Sequence, residues 1–233
     1  MKEERTVVAA ILAGGTGTRT QAGVPKQFLD MGGKTLIERT VDALASHPAI
    51  DRVIVVSHPA LIEPMEIIRR NCGHTKWKLT VPGGRERYLS SYEAIKACPE
   101  KDGILLIHDA ARPFVSHSLI DRLLDAVILS GAAVPVTPLR DTLLHIDGNK
   151  VDRAENRENF RLAQTPQAFH IADIRSAFKQ VINNTNAYFT DDCGIYLHAF
   201  PNRAIQIVEG DETNIKLTYH SDIERFNKIF SEK

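Results

Sequence analysis

Residues 13–27 hold the densest set of groups suited to phosphate chemistry: Ala13, Gly14, Gly15 and Gly17, then Arg19, then Pro25-Lys26-Gln27. Glycines let a backbone turn tightly and approach a ligand closely. Successive free N–H groups in such a turn make a concavity that suits phosphate oxygens. Arg19 and Lys26 add two permanent cations, and Pro25 restricts the chain just before Lys26. Fixed donors and cations around a polyphosphate are what phosphoryl or nucleotidyl transfer requires. Two commoner phosphate loops fail. A G-x-G-x-x-G fingerprint starting at Gly15 and Gly17 would need glycine where Thr20 stands, and a Walker A loop would need Gly-Lys-Ser/Thr where the chain has Pro25-Lys26-Gln27. A turn that merely joins strand to helix would leave both cations unexplained.

Two further loops carry charge. Pro82-Gly83-Gly84-Arg85-Glu86-Arg87 puts arginines behind a glycine pair, with Ser90 shortly after, and His108-Asp109-Ala110-Ala111-Arg112-Pro113 follows an apolar run. Plain readings stand beside the functional ones. Asp109 could cap a turn. His108 reads as structural. Ser90 with Glu93 reads as a capping box, which alone would account for it. Arg87, in a glycine loop, reads as functional. Arg157 lies in the charged stretch 152–161, and Lys216 lies in an alternating run, so each has a surface reading, as does His145.

The elements that must position these groups alternate. Val7 to Leu12 reads as a buried strand, and Thr35 with Glu38 as a capping box opening a helix to about Ser46. Arg52 to Val56 and Lys78 to Val81 read as strands flanking a helix over 59–70. Ser90 starts a helix ending near Cys98, and the continuous apolar run Ile104 to Ile107 predicts a central strand. Leu119, Ile120, Leu123, Leu124, Val127 and Ile128 recur at helical spacing before Gly131, and Ala132 to Val136 reads as another strand. This alternation predicts an α/β fold, Rossmann-like and doubly wound, with a mainly parallel sheet. Ligands in such folds sit at the carboxyl ends of strands, where the loops after Leu12, Val81 and Ile107 lie. Asp147-Gly148 between apolar residues predicts a hairpin that breaks the alternation. An isolated hairpin is marginal in water. It is therefore expected to project as an arm, at about 141–160, onto a second copy of the chain. Gln164-Thr165-Pro166-Gln167 then leads to a helix bearing Ile174, Phe178 and Val181. Thr190-Asp191-Asp192 is read as a cap, Ile205 to Val208 as a late strand, and Ser221 with Glu224 as the cap of a last helix.

Length and composition fit this reading. A chain of 233 residues suits one domain with an excursion. Twenty-nine basic and twenty-nine acidic residues cancel, so nothing points to a nucleic-acid or membrane surface. The apolar run from Val7 is too short for a span, and its flanks read as neither signal peptide nor membrane segment. Three widely spaced cysteines, Cys72, Cys98 and Cys193, form neither a metal pattern nor a disulfide framework, which is expected of a cytoplasmic protein.

Taken together, the motifs resemble those of the cytidylyltransferases that make CDP-polyols: the 2-C-methyl-D-erythritol 4-phosphate enzymes of the non-mevalonate isoprenoid route and the related ribitol-5-phosphate enzymes. The resemblance runs through Ala13-Gly14-Gly15-x-Gly17-x-Arg19, Pro25-Lys26-Gln27, Gly83-Gly84-x-x-Arg87-x-x-Ser90, Asp109-Ala-Ala-Arg112-Pro113, Arg140-Asp141-Thr142, Thr165-Pro166-Gln167, Thr190-Asp191-Asp192 and Val208-Glu209-Gly210 with Asn214-Ile215-Lys216-x-Thr218. It implies a single nucleotidyltransferase domain over 1–233 that uses CTP, a small polyol phosphate and Mg²⁺ or another divalent cation. It implies Arg19, Lys26 and Lys216 as catalytic cations. Ala13, Gly14, Gly15, Gly17, Lys26, Gly84, Arg87, Ser90, Asp109 and Ala110 would hold the nucleotide. Asp109, Arg112, Thr142, Arg157 and Lys216 would hold the acceptor, and Asp109 would meet the metal. It also implies a homodimer joined through the arm. The glycine pair 14–15 and the stretch around Cys193 lean towards the ribitol branch, and the intact Asp109 to Pro113 motif towards the erythritol branch. Arg85 stands where an acidic residue is common. A phosphate-monoester acceptor is largely dianionic at pH 7, its second pKa being about 6, so no general base is needed. The rivals from other classes are a sugar-1-phosphate nucleotidyltransferase, a nucleotide-binding module without turnover, and a dehydrogenase, which would need the missing third glycine.

Overall fold

The computed structural model describes residues 5–15, 24–182 and 189–231. Arg19 and Gly17 lie outside the described residues.

The fold is built around β1 (Val7–Ala13), whose seven residues are all buried. Its side chains alternate between two cores. Val7, Ala9, Ile11 and Ala13 face one, and Val8, Ala10 and Leu12 face the other. This is the period of two expected of a strand covered on both faces. β1 pairs in parallel with β2 (Arg52–Ser57) and β4 (Ile104–Asp109), and β2 pairs in parallel with β3 (Trp77–Pro82). One core packs on α1 (Leu36–Ala45), α2 (Ile62–Asn71) and α4 (His117–Ser130). The other packs on α3 (Arg87–Ala97), α5 (Ile171–Val181) and α6 (Asp192–Ala199). The expected alternation is therefore present. Two of its expected helix ends form: Thr35 and Glu38 make the capping box of α1, and Gly131 ends α4 with a φ of 82°.

The sheet is mainly parallel, as expected, and beyond β4 it takes in two antiparallel strands that the sequence does not show. Its order is β10-β5-β9-β4-β1-β2-β3, with β5 (Ala132–Pro138), β9 (Gln167–His170) and β10 (Gln206–Glu209), and β8 (Arg161–Ala163) adds to β5. β9 inserts antiparallel between β4 and β5, and β8 is also antiparallel. The stretch read as a simple return path is thus part of the sheet. Only its two neighbours make it a strand, because Gln-Ala-Phe-His is too short to show a period.

Two expected caps do not form. α3 begins at Arg87 rather than Ser90, and no Ser90–Glu93 box exists, since Ser90 lies buried one turn into the helix. The last helix, α7 (His220–Ser231), starts ahead of Ser221, and the Asp222 carboxylate accepts from the N–H groups of Thr218 and Tyr219. α7 closes a third, smaller core in which Phe226 and Phe230 pack against Phe114. The hairpin of β6 (Leu144–Asp147) and β7 (Lys150–Ala154) turns at Gly148, with φ 56°, and stands apart as its own two-stranded sheet. Every residue of its two strands is exposed. Among the described residues no helix is long and apolar enough to cross a membrane.

Candidate active site

Three parallel strands deliver the site, because the loops after β1, β3 and β4 emerge on one edge of the sheet. They enclose a cleft of about 340 Å³ lined by Ala13, Gly14, Gly15, Lys26, Gly84, Arg87, Ser90, Asp109, Ala110 and Lys216. Every described residue expected to hold the nucleotide is therefore brought together. Lys26, Arg85, Arg87 and Lys216 set four cations there against the two carboxylates of Glu86 and Asp109. That balance favours a polyanion.

Ser90 reaches the cleft for a steric reason. It is only 4% exposed, and a Cβ on Gly83 would stand 2.7 Å from its Oγ. The hydroxyl donates to the Glu86 carbonyl at 3.3 Å. The glycine at 83 is what lets the first turn of α3 close over the loop.

Asp109 ends β4 and is the hub. Arg87 Nε donates to its Oδ1 at 3.1 Å and Lys216 Nζ to its Oδ2 at 2.7 Å. Burial alone would raise the carboxyl pKa, but Arg87, Lys216 and Arg112 outweigh it and hold the group well below the usual carboxylate range. Arg87 is fixed from its other side, where Nη1 donates to Asp192 Oδ2 at 2.7 Å. Burial disfavours the Arg87 charge, yet Asp192 and Asp109 push its pKa upward. Asp192 itself is fully buried at the start of α6. Gln167 holds that helix start: its Oε1 accepts from the Asp192 and Cys193 N–H groups at 3.1 and 3.2 Å, and its Nε2 donates to Asp191 at 2.8 Å. Sequence reasoning named Asp191, Asp192 and Gln167 without giving them a place in the site. Two adjacent acids before an apolar helix were the available signal, since one is enough to cap.

His108 has the structural role expected of it. Its Nε2–H donates to the Arg112 carbonyl at 2.8 Å, and its Nδ1 accepts from the Thr165 hydroxyl at 3.0 Å. That same hydroxyl accepts from the Asp109 N–H at 3.1 Å. This chain of donors suits a neutral imidazole, and burial pushes the His108 pKa down to about 4. The unfolded chain, with a pKa near 6.5, takes up this proton first as pH falls, so stability declines from about pH 6.5 to 4. The expected loss from this one group is roughly 3 kcal/mol at 1.36 kcal/mol per unit. Urea midpoints without nucleotide or metal at pH 7 and pH 4.5, for the parent and for His108→Gln, test this. Equal pH slopes in the two proteins would contradict it.

A second cleft of about 730 Å³ lies at the root of the arm and is lined by Arg112, Thr142, Arg140, Gln164 and Lys216 among others. Three of the expected acceptor residues, Arg112, Thr142 and Lys216, therefore share it. Asp109 sits in the first cleft. Arg157 lies on neither: it is on the arm, half-exposed, with Nη1 donating to the Arg140 carbonyl at 2.8 Å. Lys216 borders both clefts. Its loop conformation overturns the alternative of an exposed strand lysine.

Comparison with known proteins gives this arrangement a family. The family model for 2-C-methyl-D-erythritol 4-phosphate cytidylyltransferase, IspD, matches residues 7–232. The chain is 38% identical over 224 residues to the enzyme of that name from Thermobifida fusca, covering 93% of this chain and 90% of the relative. It is 37% identical over 221 residues to the one from Syntrophus aciditrophicus, covering 93% and 92%. The crystal structure of 4-diphosphocytidyl-2C-methyl-D-erythritol synthase from Anaerococcus prevotii superposes with a TM-score of 0.83 at 28% identity, covering 98% of this chain and all of that one. In sequence and in fold, the chain belongs to the IspD family of 2-C-methyl-D-erythritol 4-phosphate cytidylyltransferases.

Proposed function

We propose that this protein is a nucleotidyltransferase that joins the CMP moiety of CTP to 2-C-methyl-D-erythritol 4-phosphate and releases pyrophosphate, as a step in isoprenoid precursor synthesis. The observation that carries the reading is the position of Lys216, which borders both clefts and sits 2.7 Å from Asp109. The relatives named above are erythritol enzymes, and the matches lend the ribitol alternative no support.

The first cleft takes the nucleotide, with the backbone at Ala13, Gly14 and Gly15 and the Lys26 side chain against the triphosphate. Gly84, Arg87, Ser90, Asp109 and Ala110 face the nucleoside end. Gly17 and Arg19, outside the described residues, complete the loop in this reading. The second cleft takes the acceptor through Arg112 and Thr142, with Arg157 supplied across the arm. The acceptor's ionised phosphate oxygen bonds to the α-phosphorus as the bridge to the β-phosphate breaks, and the electron pair leaves on pyrophosphate. Two anions must meet, so the contribution of Arg19, Lys26 and Lys216 is to position the groups and offset their charge.

The described residues contain no group of three possible metal ligands, and both oxygens of Asp109 already meet cations. In this reading a divalent ion would be held mostly by substrate phosphates, as Mg²⁺ commonly is, with the Asp109 carboxylate as its one neighbour from the hub. Such an ion would further neutralise the triphosphate.

The chain is read as one catalytic domain acting in the cytoplasm. Leu144, Ile146 and Val151 are 45, 54 and 58% exposed on a hairpin that pairs with no other strand among the described residues. An apolar patch of this kind supports pairing with a second copy.

The test is pyrophosphate release from CTP and Mg²⁺ with 2-C-methyl-D-erythritol 4-phosphate and, in parallel, D-ribitol 5-phosphate, with Lys26→Ala as control. Turnover with the erythritol compound alone is expected. Turnover with ribitol phosphate alone would overturn the acceptor, and CTP binding without turnover on either would overturn the enzyme. Light scattering of the same sample is expected to give twice the chain mass, and a monomer would remove a second copy's Arg157 from the acceptor site.

A further inference from the structure

Lys216 sits in a segment, 210–219, without helix or strand, yet its ammonium must be held between two clefts. A lysine has four rotatable stem bonds, so its position depends on how firmly its backbone is anchored. The anchors are two side-chain amides. Gln164, 7% exposed, bridges one backbone residue with both ends of its amide: Nε2 donates to the Asp211 carbonyl at 2.8 Å, and Oε1 accepts from the Asp211 N–H at 3.2 Å. The approach is close enough that a Cβ on Gly210 would stand 2.6 Å from Gln164 Oε1. Asn214, fully buried, donates from Nδ2 to the Thr165 carbonyl at 2.8 Å. Its backbone carbonyl accepts from Arg112 Nη1 at 2.7 Å. On the other side of Lys216, the Leu217 N–H donates to the Ala111 carbonyl at 2.9 Å.

Thr165 is common to both halves of the ion pair. Its carbonyl holds the Lys216 segment through Asn214, and its hydroxyl accepts from the N–H of Asp109. Hydrogen-bonded buried networks rigidify what they join, and here both ends of the Gln164 amide and Asn214 Nδ2 are paired, while Asn214 Oδ1 has no partner among the described residues. We infer that Gln164 and Asn214 are positioning residues for Lys216, fixing its ammonium against Asp109 at the junction of the nucleotide and acceptor clefts. This rests on the role of Lys216 given under the proposed function. Neither amide needs to touch substrate, and their effect is transmitted through the backbone on each side of the lysine.

A double-mutant cycle on the full-length protein tests the inference. Gln164→Met keeps the side-chain length, leaves the Asp211 N–H without its partner and leaves the Asp211 carbonyl with the Asn214 N–H alone. With Lys216 correctly placed only in the parent, Gln164→Met is expected to lower kcat by about 10- to 100-fold, the scale of an ångström-sized misplacement. In the Lys216→Ala background the same substitution is expected to change kcat by less than about twofold, because the group it positions is gone. Urea midpoints and CTP affinity, measured on all four proteins, separate this from general damage. Equal fold losses in both backgrounds would overturn the inference and leave the role of Lys216 standing. A Lys216→Ala enzyme with parental kcat would overturn that role and this inference with it. Should Gln164→Met fail to fold, Gln164→Glu, which keeps the oxygen that accepts from Asp211, enters the same cycle under the same criteria.

Discussion

Lys216→Ala is expected to lower kcat by about 10²- to 10³-fold, the usual consequence of removing one preorganised charge from a site where negative charge develops. The magnitude follows from its place. The ammonium lies 2.7 Å from a buried carboxylate and borders both clefts, so it is only partly screened by water. The two arginines nearest to it are already committed. Arg87 already spans Asp109 and Asp192, and Arg112 is tied to the Asn214 carbonyl. The charge that Lys216 opposes is largest as the phosphates close on one another, so kcat is expected to fall by more than CTP affinity does. Lys216→Arg is expected to recover little, since a planar guanidinium is larger and directs its donors differently. Steady-state kinetics at saturating CTP and acceptor, with calorimetric CTP titration, give the split. A kcat within threefold of the parent would remove Lys216 from the reaction.

Asp192→Ala has the largest expected effect on stability, about 3–5 kcal/mol, as when one partner of a buried ion pair is removed. Asp192 is fully buried and accepts from Arg87 Nη1, so its loss leaves a mostly buried guanidinium with half its partners. For a chain of this size the melting temperature is expected to drop by about 2–4 °C per kcal/mol. Asp192→Asn, which keeps an acceptor but not the charge, is expected to fall between. The catalytic consequence is separate: a loosened Arg87 loses its hold on Asp109 even in molecules that remain folded. Urea unfolding of both variants is the check. A midpoint for Asp192→Ala equal to the parent's would mean that the pair adds nothing to stability.

Much of this site was legible beforehand, for physical reasons that differ from residue to residue. Ala13 ends, and Gly14, Gly15 and Lys26 follow, a strand whose apolar run is unmistakable, so their place at its carboxyl end is read directly. Asp109 follows from β4 in the same way. Ser90 was placed at the site but with the wrong local role. A Ser-x-x-Glu spacing looks the same whether the serine caps a helix or lies inside one, and only the approach of Gly83 decides between them. β9 is not legible in the sequence because four residues carry no period, and its identity as a strand comes from β4 and β5 on each side. Arg157, expected among the acceptor residues, lines neither cleft in the single chain; it stands on the arm against the carbonyl of Arg140, which borders the second cleft.

The sequence by itself determined what is written within a few neighbouring residues: alternation of strand and helix, the capping box at Thr35, the turn at Gly148, and the loops that end β1, β3 and β4. Each depends on periodicity or backbone preference, which act over one or two turns. Only the tertiary structure decided which distant groups meet. Lys216 and Asp109 are 107 positions apart, Arg87 and Asp192 are 105 apart, and Gln164 reaches Asp211 across 47. Those meetings follow from the order of strands in the sheet, above all from β9 running antiparallel beside β4, which carries Thr165 to Asp109 and sets Gln167 against α6. Strand order is fixed by the packing of whole faces and not by any short motif, so the ion pairs at the centre of this site appear only when the chain is folded.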